Sequence, residues 1–188
     1  MSHRYGHLLS PGKIGALQLR NRIVMAAMGT NFAAEDGHTT ERLISYYEAR
    51  AKGGSGLIVL ETSAALWPRG ASMPNTIGFS NDVFIPGLSE LTRRVHQHGA
   101  RIIAQLNHSG SISQADTIAG RPIPVPSAVK KSRSDMVRVL TNDELQSFIK
   151  GAGADGVGPQ YYEMTPEQIA ETSQGFASAV ARARQAGF

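Results

Sequence analysis

Three short segments of the sequence combine small side chains with amides and hydroxyls. They are residues 26–31, 61–64 and 105–108, and each lies at the end of an apolar run. None of them contains a carboxylate pair or a Ser/His/Asp triad, so hydrolytic chemistry is not indicated. Small residues let a ring approach the backbone, and the amide of Gln105 can both donate and accept hydrogen bonds. These segments are suited to binding a flat, uncharged, hydrogen-bonding ring.

Apolar strands and helices alternate along the chain. The pattern predicts buried strands at 22–28, 56–65 and 101–106, and helices at 41–52 and 85–98. The first helix has a Thr as its N-cap candidate. The predicted stripes are Leu43, Tyr47 and Arg50 in the first helix, and Leu88, Leu91 and Val95 in the second. Strands that are apolar on both faces favour parallel βαβ units with right-handed crossovers. In an α/β barrel, ligands bind at the carboxyl ends of the strands, where the three polar segments lie. Both a doubly wound sheet and a barrel fit this order of elements.

The second half of the chain has one strong helix signal. Residues 110–126 are expected to form a loop, and a short helix is expected within 140–158. Thr165 as N-cap, Pro166 at the first helical position and Gln168 form a capping box that begins a last helix. Its predicted apolar stripe consists of Ile169, Phe176, Val180 and Ala183.

The length of the chain limits how much of a barrel it can form. A (β/α)₈ barrel needs eight units and typically about 250 residues, whereas this chain has 188 residues and shows about three units. We expect residues 1–188 to be the N-terminal portion of one barrel domain that needs further strands to close. An open parallel sheet exposes an unpaired edge, so the chain alone is expected to aggregate.

Composition excludes several classes of protein. The 41% hydrophobic and 18% charged content is typical of a globular protein, and no apolar run reaches the ~20 residues of a membrane helix. The net charge of +4 is dispersed, without the basic stripe of a nucleic-acid-binding protein. The start of the chain lacks the apolar region of a secretory signal. We therefore expect a cytoplasmic protein that binds neither nucleic acid nor membrane.

Metal and dinucleotide motifs are weak in this sequence. There is no cysteine, so this chain has no thiolate ligand for zinc or an iron–sulfur cluster. The histidines form no His-x-x-x-His pair, and we expect no metal site. Glycines 151, 153 and 156 have the spacing of a dinucleotide fingerprint, but they follow a helical segment rather than a strand and are interpreted as a connector.

Seven segments, in order, resemble the old yellow enzyme and NADH:flavin oxidoreductase family, nearest to its 2,4-dienoyl-CoA reductase-like branch. The resemblance covers roughly residues 8–128 and 162–188. The matching segments are residues 8–15, 19–28, 46–51, 56–58, 105–110, 126–128 and 183–188.

The resemblance implies part of a barrel that binds FMN non-covalently and reduces activated C=C bonds with NAD(P)H. By position, Ala27 and Met28 would contact the isoalloxazine through their backbone, and strand-end packing is the alternative for both. Thr62 would occupy the small-residue position after the second strand. Gln105 would bind the pyrimidine edge of the ring.

The sequence departs from the family at several positions. Gly29, in the cofactor segment, stands where relatives often carry a Thr, Cys or His that tunes the flavin. Asn31 stands where some relatives have an active-site Tyr, which makes it the catalytic candidate in this chain, with a loop residue as the alternative. Ser111 replaces a common Arg. Residues 130–161 match poorly and are interpreted as a divergent insertion.

The family's substrate-binding His or His/Asn pair, its proton donor and its FMN phosphate site would lie beyond this sequence. The leading hypothesis is therefore an oligomeric flavoenzyme whose barrel is completed by a second polypeptide. Iron–sulfur or FAD domains would be found only on that missing part. A non-catalytic half-barrel scaffold and an inactive truncated fragment are the alternatives.

Overall fold

The computed structural model describes residues 4–127 and 159–188. The strands are β1 (Gly12–Ile14), β2 (Leu17–Leu19), β3 (Val24–Met25), β4 (Leu57–Ala64), β5 (Arg101–Asn107), β6 (Ile123–Val125) and β7 (Tyr161–Glu163). The helices are α1 (Gly6–Leu9), α2 (Glu41–Lys52), α3 (Ile85–His96), α4 (Gln114–Ile118) and α5 (Pro166–Gln185), with 3-10 turns at Asp82–Phe84 and Gly110–Ile112.

A parallel three-stranded sheet with the order β3-β4-β5 forms the centre of the described fold. Helix α2 connects β3 to β4, and α3 connects β4 to β5, so the predicted alternation of strands and helices is confirmed. The sheet residues Met25, Ile58 and Ile102 are aligned across the strands and pack with these helices in one core. The antiparallel pair β1-β2 precedes β3, and β6 pairs with β7 in parallel.

Helices α2 and α3 have the predicted bounds to within two residues and bury the predicted faces. The Thr40 side chain accepts a hydrogen bond from the Leu43 N–H at 3.1 Å, which caps the start of α2. Leu43 and Tyr47 are fully buried, as are Leu88, Leu91 and Val95 of α3. Arg50, predicted on the buried stripe, instead stacks over the Tyr46 ring at 3.4 Å and stays partly exposed, since its guanidinium requires solvation.

The prediction that the first strand is buried on both faces was wrong. Only Val24 and Met25 pair with β4, and Val24 is 49% exposed. In the described part of the chain β3 is an edge strand. The face of the sheet on which Val24 lies is only partly covered, because Leu57, the partner of Val24 in β4, is 3% exposed. β5 likewise alternates between buried and exposed residues, with Ile103 40% exposed.

The buried stripe of α5 also differs from the prediction. The capping box is confirmed, because the Thr165 side chain accepts from the Gln168 N–H and the Gln168 side chain accepts from the Thr165 N–H. Ile169 and Val180, however, are 43% and 48% exposed, whereas Ala179 and Ala183 are buried. α5 lies against α3 and β5, and small side chains allow this close approach. The apolar period therefore selected Phe176 and Ala183 correctly, since both pack in or against the core, but it was wrong for Ile169 and Val180.

The expected loop at 110–126 contains short elements, namely a 3-10 turn, α4 and β6. β6 was missed because its hydrogen-bonding partner, β7, lies more than 30 residues later in the sequence. The helix expected within 140–158 lies outside the described residues, as does nearly all of the expected insertion at 130–161. In the described residues, no helix has the length and apolar character needed to cross a membrane.

Candidate functional site

The carboxyl ends of β3, β4 and β5 lie at one edge of the sheet because the three strands are parallel. Thr62 and Gln105 are direct partners across β4 and β5. The Thr62 hydroxyl donates to the Gln105 side-chain carbonyl at 3.1 Å. Among the described residues, the Gln105 amide nitrogen has no hydrogen-bond partner, so it is free to donate to a ligand.

A β-bulge in β4 brings Thr62 to this position. Val59 pairs with Ile103 and Thr62 pairs with Gln105, so three residues of β4 advance over two residues of β5. Without the extra residue, the alternation of side chains would turn Thr62 toward the helices. The bulge instead places Thr62 on the face that carries Val24, Ile103 and Gln105, which we call the open face.

The bulge also places a carboxylate inside the protein. Glu61 is 3% exposed, and its two oxygens accept hydrogen bonds from the Thr30 N–H and the Thr30 hydroxyl, both at 2.6 Å. The Tyr47 hydroxyl lies 3.2 Å from the same carboxylate and accepts from the Glu61 N–H at 3.1 Å. Burial, reinforced by the Glu61 charge, raises the pKa of Tyr47. Glu61 therefore joins the end of β4 to the segment that follows β3.

That segment carries the predicted residues Ala27, Met28 and Gly29. Met28 is 53% exposed, and Ala27 is partly exposed. The Thr30–Glu61 hydrogen bonds hold this segment beside β4, on which Thr62 lies. The structure thus brings Thr62 and Gln105 into contact and fixes residues 27–29 at the same edge through a side chain that the sequence analysis did not select.

Asn31 takes part in loop structure. Its backbone is in the left-handed region at φ 57°, which Asn tolerates better than most residues. Its side-chain oxygen accepts from the Asn75 N–H at 2.9 Å, which ties the loop after β4 to the end of β3. With this oxygen engaged, the geometry favours the loop interpretation of Asn31 over the catalytic one.

The end of β5 is supported by a buried carboxylate that pairs with a partly exposed arginine. Asp116, 1% exposed, accepts from the Gly70 N–H at 2.7 Å, the Ser113 hydroxyl at 2.6 Å and Arg121 Nε at 2.7 Å. The His108 ring packs against Gly70 so closely that a Cβ there would overlap it. Burial lowers the pKa of His108, with Asp116 opposing the shift. Its Nδ1 accepts from the Gly110 N–H at 3.2 Å, so His108 contributes to the packing and hydrogen bonding at the end of β5.

The sequence analysis missed two buried carboxylates that support this edge of the sheet, Glu61 and Asp116. The available signal for Glu61 was a single carboxylate inside an otherwise apolar strand, where a charge is costly unless it is hydrogen-bonded. No group of three or more His, Cys, Asp or Glu residues that could hold a metal occurs within residues 4–127 and 159–188.

The family model described as NADH:flavin oxidoreductase / NADH oxidase matches residues 7–188. The chain belongs to this family. It is 38% identical to an NADH oxidase of Thermoanaerobacter brockii over 171 residues, covering 84% of this chain and 26% of that protein. It is 34% identical to an NADH:acrylate oxidoreductase of Vibrio harveyi over 173 residues, covering 92% of this chain and 15% of that one.

Among solved structures of the family, old yellow enzyme from Pichia sp. AKU4542 superposes with a TM-score of 0.77 at 26% identity. The match covers 97% of this chain and 44% of that enzyme. The described strands and helices are therefore those of part of a (β/α)₈ barrel, which decides between the two architectures that the sequence allowed. The chain spans less than half the length of each of these relatives.

Proposed function

We propose that this chain carries part of an FMN site in an NAD(P)H-dependent oxidoreductase that reduces activated C=C bonds. Membership of the flavin oxidoreductase family supports the cofactor class, and the acrylate-reducing relative supports an alkene conjugated to an electron-withdrawing group. The observation that carries the proposal is the Thr62–Gln105 pair at the carboxyl edge of the sheet, in which the amide nitrogen of Gln105 has no partner within residues 4–127 and 159–188.

The residues at this edge fit an isoalloxazine ring. The Gln105 amide would donate to the pyrimidine edge, and Thr62 would keep the amide oriented by holding its carbonyl. The backbone at Ala27 and Met28 would lie beside the ring, where small or flexible side chains permit close approach. When bound, FMN would supply hydride transfer from NAD(P)H to the β-carbon of the alkene.

This chain's own residues bind and orient the ring in the proposed mechanism. Glu61 is not suited to proton transfer, because it is buried and each of its oxygens already accepts hydrogen bonds. Its function is to hold residues 27–30 beside β4. The proton donor and the groups that bind the substrate's activating group would come from the rest of the barrel.

A second polypeptide that completes the barrel, in an oligomeric assembly in the cytoplasm, remains part of the proposal. The open face supports the presence of further strands, whichever polypeptide carries them: Val24 and Ile103 are 49% and 40% exposed there, and such strands would cover them. Both β3 and β5 are edge strands in the described part of the chain, so each offers unpaired backbone groups to such strands. Any iron–sulfur or FAD group would belong to that partner.

The test is co-expression of this chain with a polypeptide that carries the remaining strands of a family barrel. We expect a complex that retains FMN, seen as visible flavin absorbance that co-elutes with both chains. Gln105→Ala should weaken FMN binding about tenfold, the equivalent of one good hydrogen bond. The matched control Gln18→Ala, an exposed residue of β2 before the amino end of β3, should leave FMN affinity unchanged.

A complex that assembles but stays colourless would contradict the cofactor assignment and favour the non-catalytic scaffold. A flavin-containing complex in which Gln105→Ala and Gln18→Ala behave alike would retain the cofactor but contradict the role of Gln105.

A further inference from the structure

The space beside Gly29 is occupied by a side chain from a different loop. A Cβ at this position would stand 2.6 Å from the Met73 methyl carbon and 3.8 Å from its sulfur. The backbone at Gly29 is not in the left-handed region that favours glycine, so its conformation accepts any L residue. The space beside Gly29 is filled by Met73, which comes from the loop after β4.

The backbone of Met73 is firmly placed. The Thr76 hydroxyl accepts from the Met73 N–H at 3.0 Å and donates to the Met73 carbonyl at 2.8 Å, and Thr76 itself is 2% exposed. The adjacent Asn75 N–H donates to the Asn31 side chain, which lies two residues after Gly29. The loop is therefore fixed both internally and to the end of β3, and from this loop the Met73 side chain extends to Gly29.

We infer that Met73 is a specificity-determining residue of the flavin site, in which its thioether takes the place of a side chain at position 29. This inference rests on the proposed FMN site. A hydroxyl or thiol at position 29 could donate a hydrogen bond to the ring, whereas a thioether cannot. Met73 instead offers a soft, polarizable contact of the kind that sulfur makes with aromatic rings. It also limits the volume open to substituents of the alkene at this edge.

The direct test is NMR of the assembled protein, labelled at the methionine methyl groups, before and after FMN is added. The sequence has six methionines, and the Met73 resonance is assigned by its loss in Met73→Leu. We expect the Met73 methyl resonance to shift on FMN binding because of the ring current. The resonance of Met164, which follows β7, is the internal control and should not move.

The second test is a double-mutant cycle in which position 29 receives a larger side chain and position 73 a smaller one. Gly29→Thr should weaken FMN binding about tenfold, because the new side chain and Met73 compete for one volume. Gly29→Thr combined with Met73→Ala should recover most of that loss. In steady-state assays, Met73→Ala alone should raise kcat/KM for a bulky alkene relative to acrylate.

The outcomes separate this inference from the proposed function. An assembled wild-type protein without FMN would overturn both. A protein that binds FMN with an unshifted Met73 resonance, or with additive effects of the two substitutions, would overturn the role of Met73 alone.

Discussion

Glu61 joins the ends of β3 and β4, which the proposed flavin site requires to lie together. Its carboxylate accepts from the Thr30 N–H and hydroxyl, so Glu61→Gln replaces one acceptor oxygen with an NH₂ group that faces donors. Leaving buried donors unpaired costs roughly 1–3 kcal/mol. We expect Glu61→Gln to lower the free energy of unfolding of the assembled protein by about this amount, measured by urea denaturation.

The matched control is Glu171→Gln on the exposed surface of α5, which should change the free energy of unfolding by less than about 0.5 kcal/mol. Equal effects of the two substitutions would show that the Thr30–Glu61 contact does not stabilise the fold.

We expect His108 to make stability depend on pH. Burial lowers its pKa below the ordinary value of 6.5, so below pH 6.5 the unfolded chain binds more protons at this site than the folded chain. Stability should therefore fall as the pH falls from 6.5 toward the lowered pKa. We expect His108→Gln to reduce this slope in thermal unfolding measured across that range. His7→Gln, at an exposed residue of α1, should retain the wild-type slope.

At the scale of single residues, the sequence indicates Gln105 as a polar residue at the end of an apolar strand, and the family resemblance indicates Thr62. The structure shows that the two are direct partners, while their contact with a flavin stays a prediction. Met73 could not be selected, because its proximity to Gly29 depends on the path of a loop over 40 residues later in the chain. Such contacts leave no local pattern in the sequence.

At the scale of elements, the sequence predicts helix ends correctly from neighbouring residues, but it does not predict which strands pair or in what register. The capping box of α5 and the N-cap of α2 involve neighbouring residues, and both were predicted correctly. The bulge in β4 depends on register with β5, and the β6-β7 pair joins distant segments. The exposure of Val24 depends on which strands lie beyond β3, so a single apolar run could not reveal it.

The capping box gives a prediction at this scale. Thr165→Ala removes the acceptor for the Gln168 N–H at the start of α5, and loss of such a cap typically costs about 1 kcal/mol. We expect a corresponding decrease in the free energy of unfolding of the assembled protein and faster amide exchange in the first turn. Gln174→Ala, an exposed position within the same helix, should leave exchange in that turn unchanged.

For the whole molecule, the open face determines how the chain behaves alone and in an assembly. The other face of the sheet packs with α2, α3 and α5 in a continuous core, whereas Val24 and Ile103 on the open face are exposed. Exposed apolar groups beside unpaired strand edges promote self-association. The same groups would become part of the interior once the barrel is complete.

One substitution on the open face should reduce self-association of the isolated chain and also weaken its assembly with the completing strands. Ile103→Lys places a charge on the open face, so the isolated chain should contain more monomer by size-exclusion chromatography with light scattering. In the assembled protein the same lysine would be buried without a partner, which is costly, and association with the completing strands should weaken by at least about tenfold. Val83→Lys, at a position 58% exposed in the turn before α3, should do neither. If Ile103→Lys leaves assembly intact, the open face does not lie inside a completed barrel.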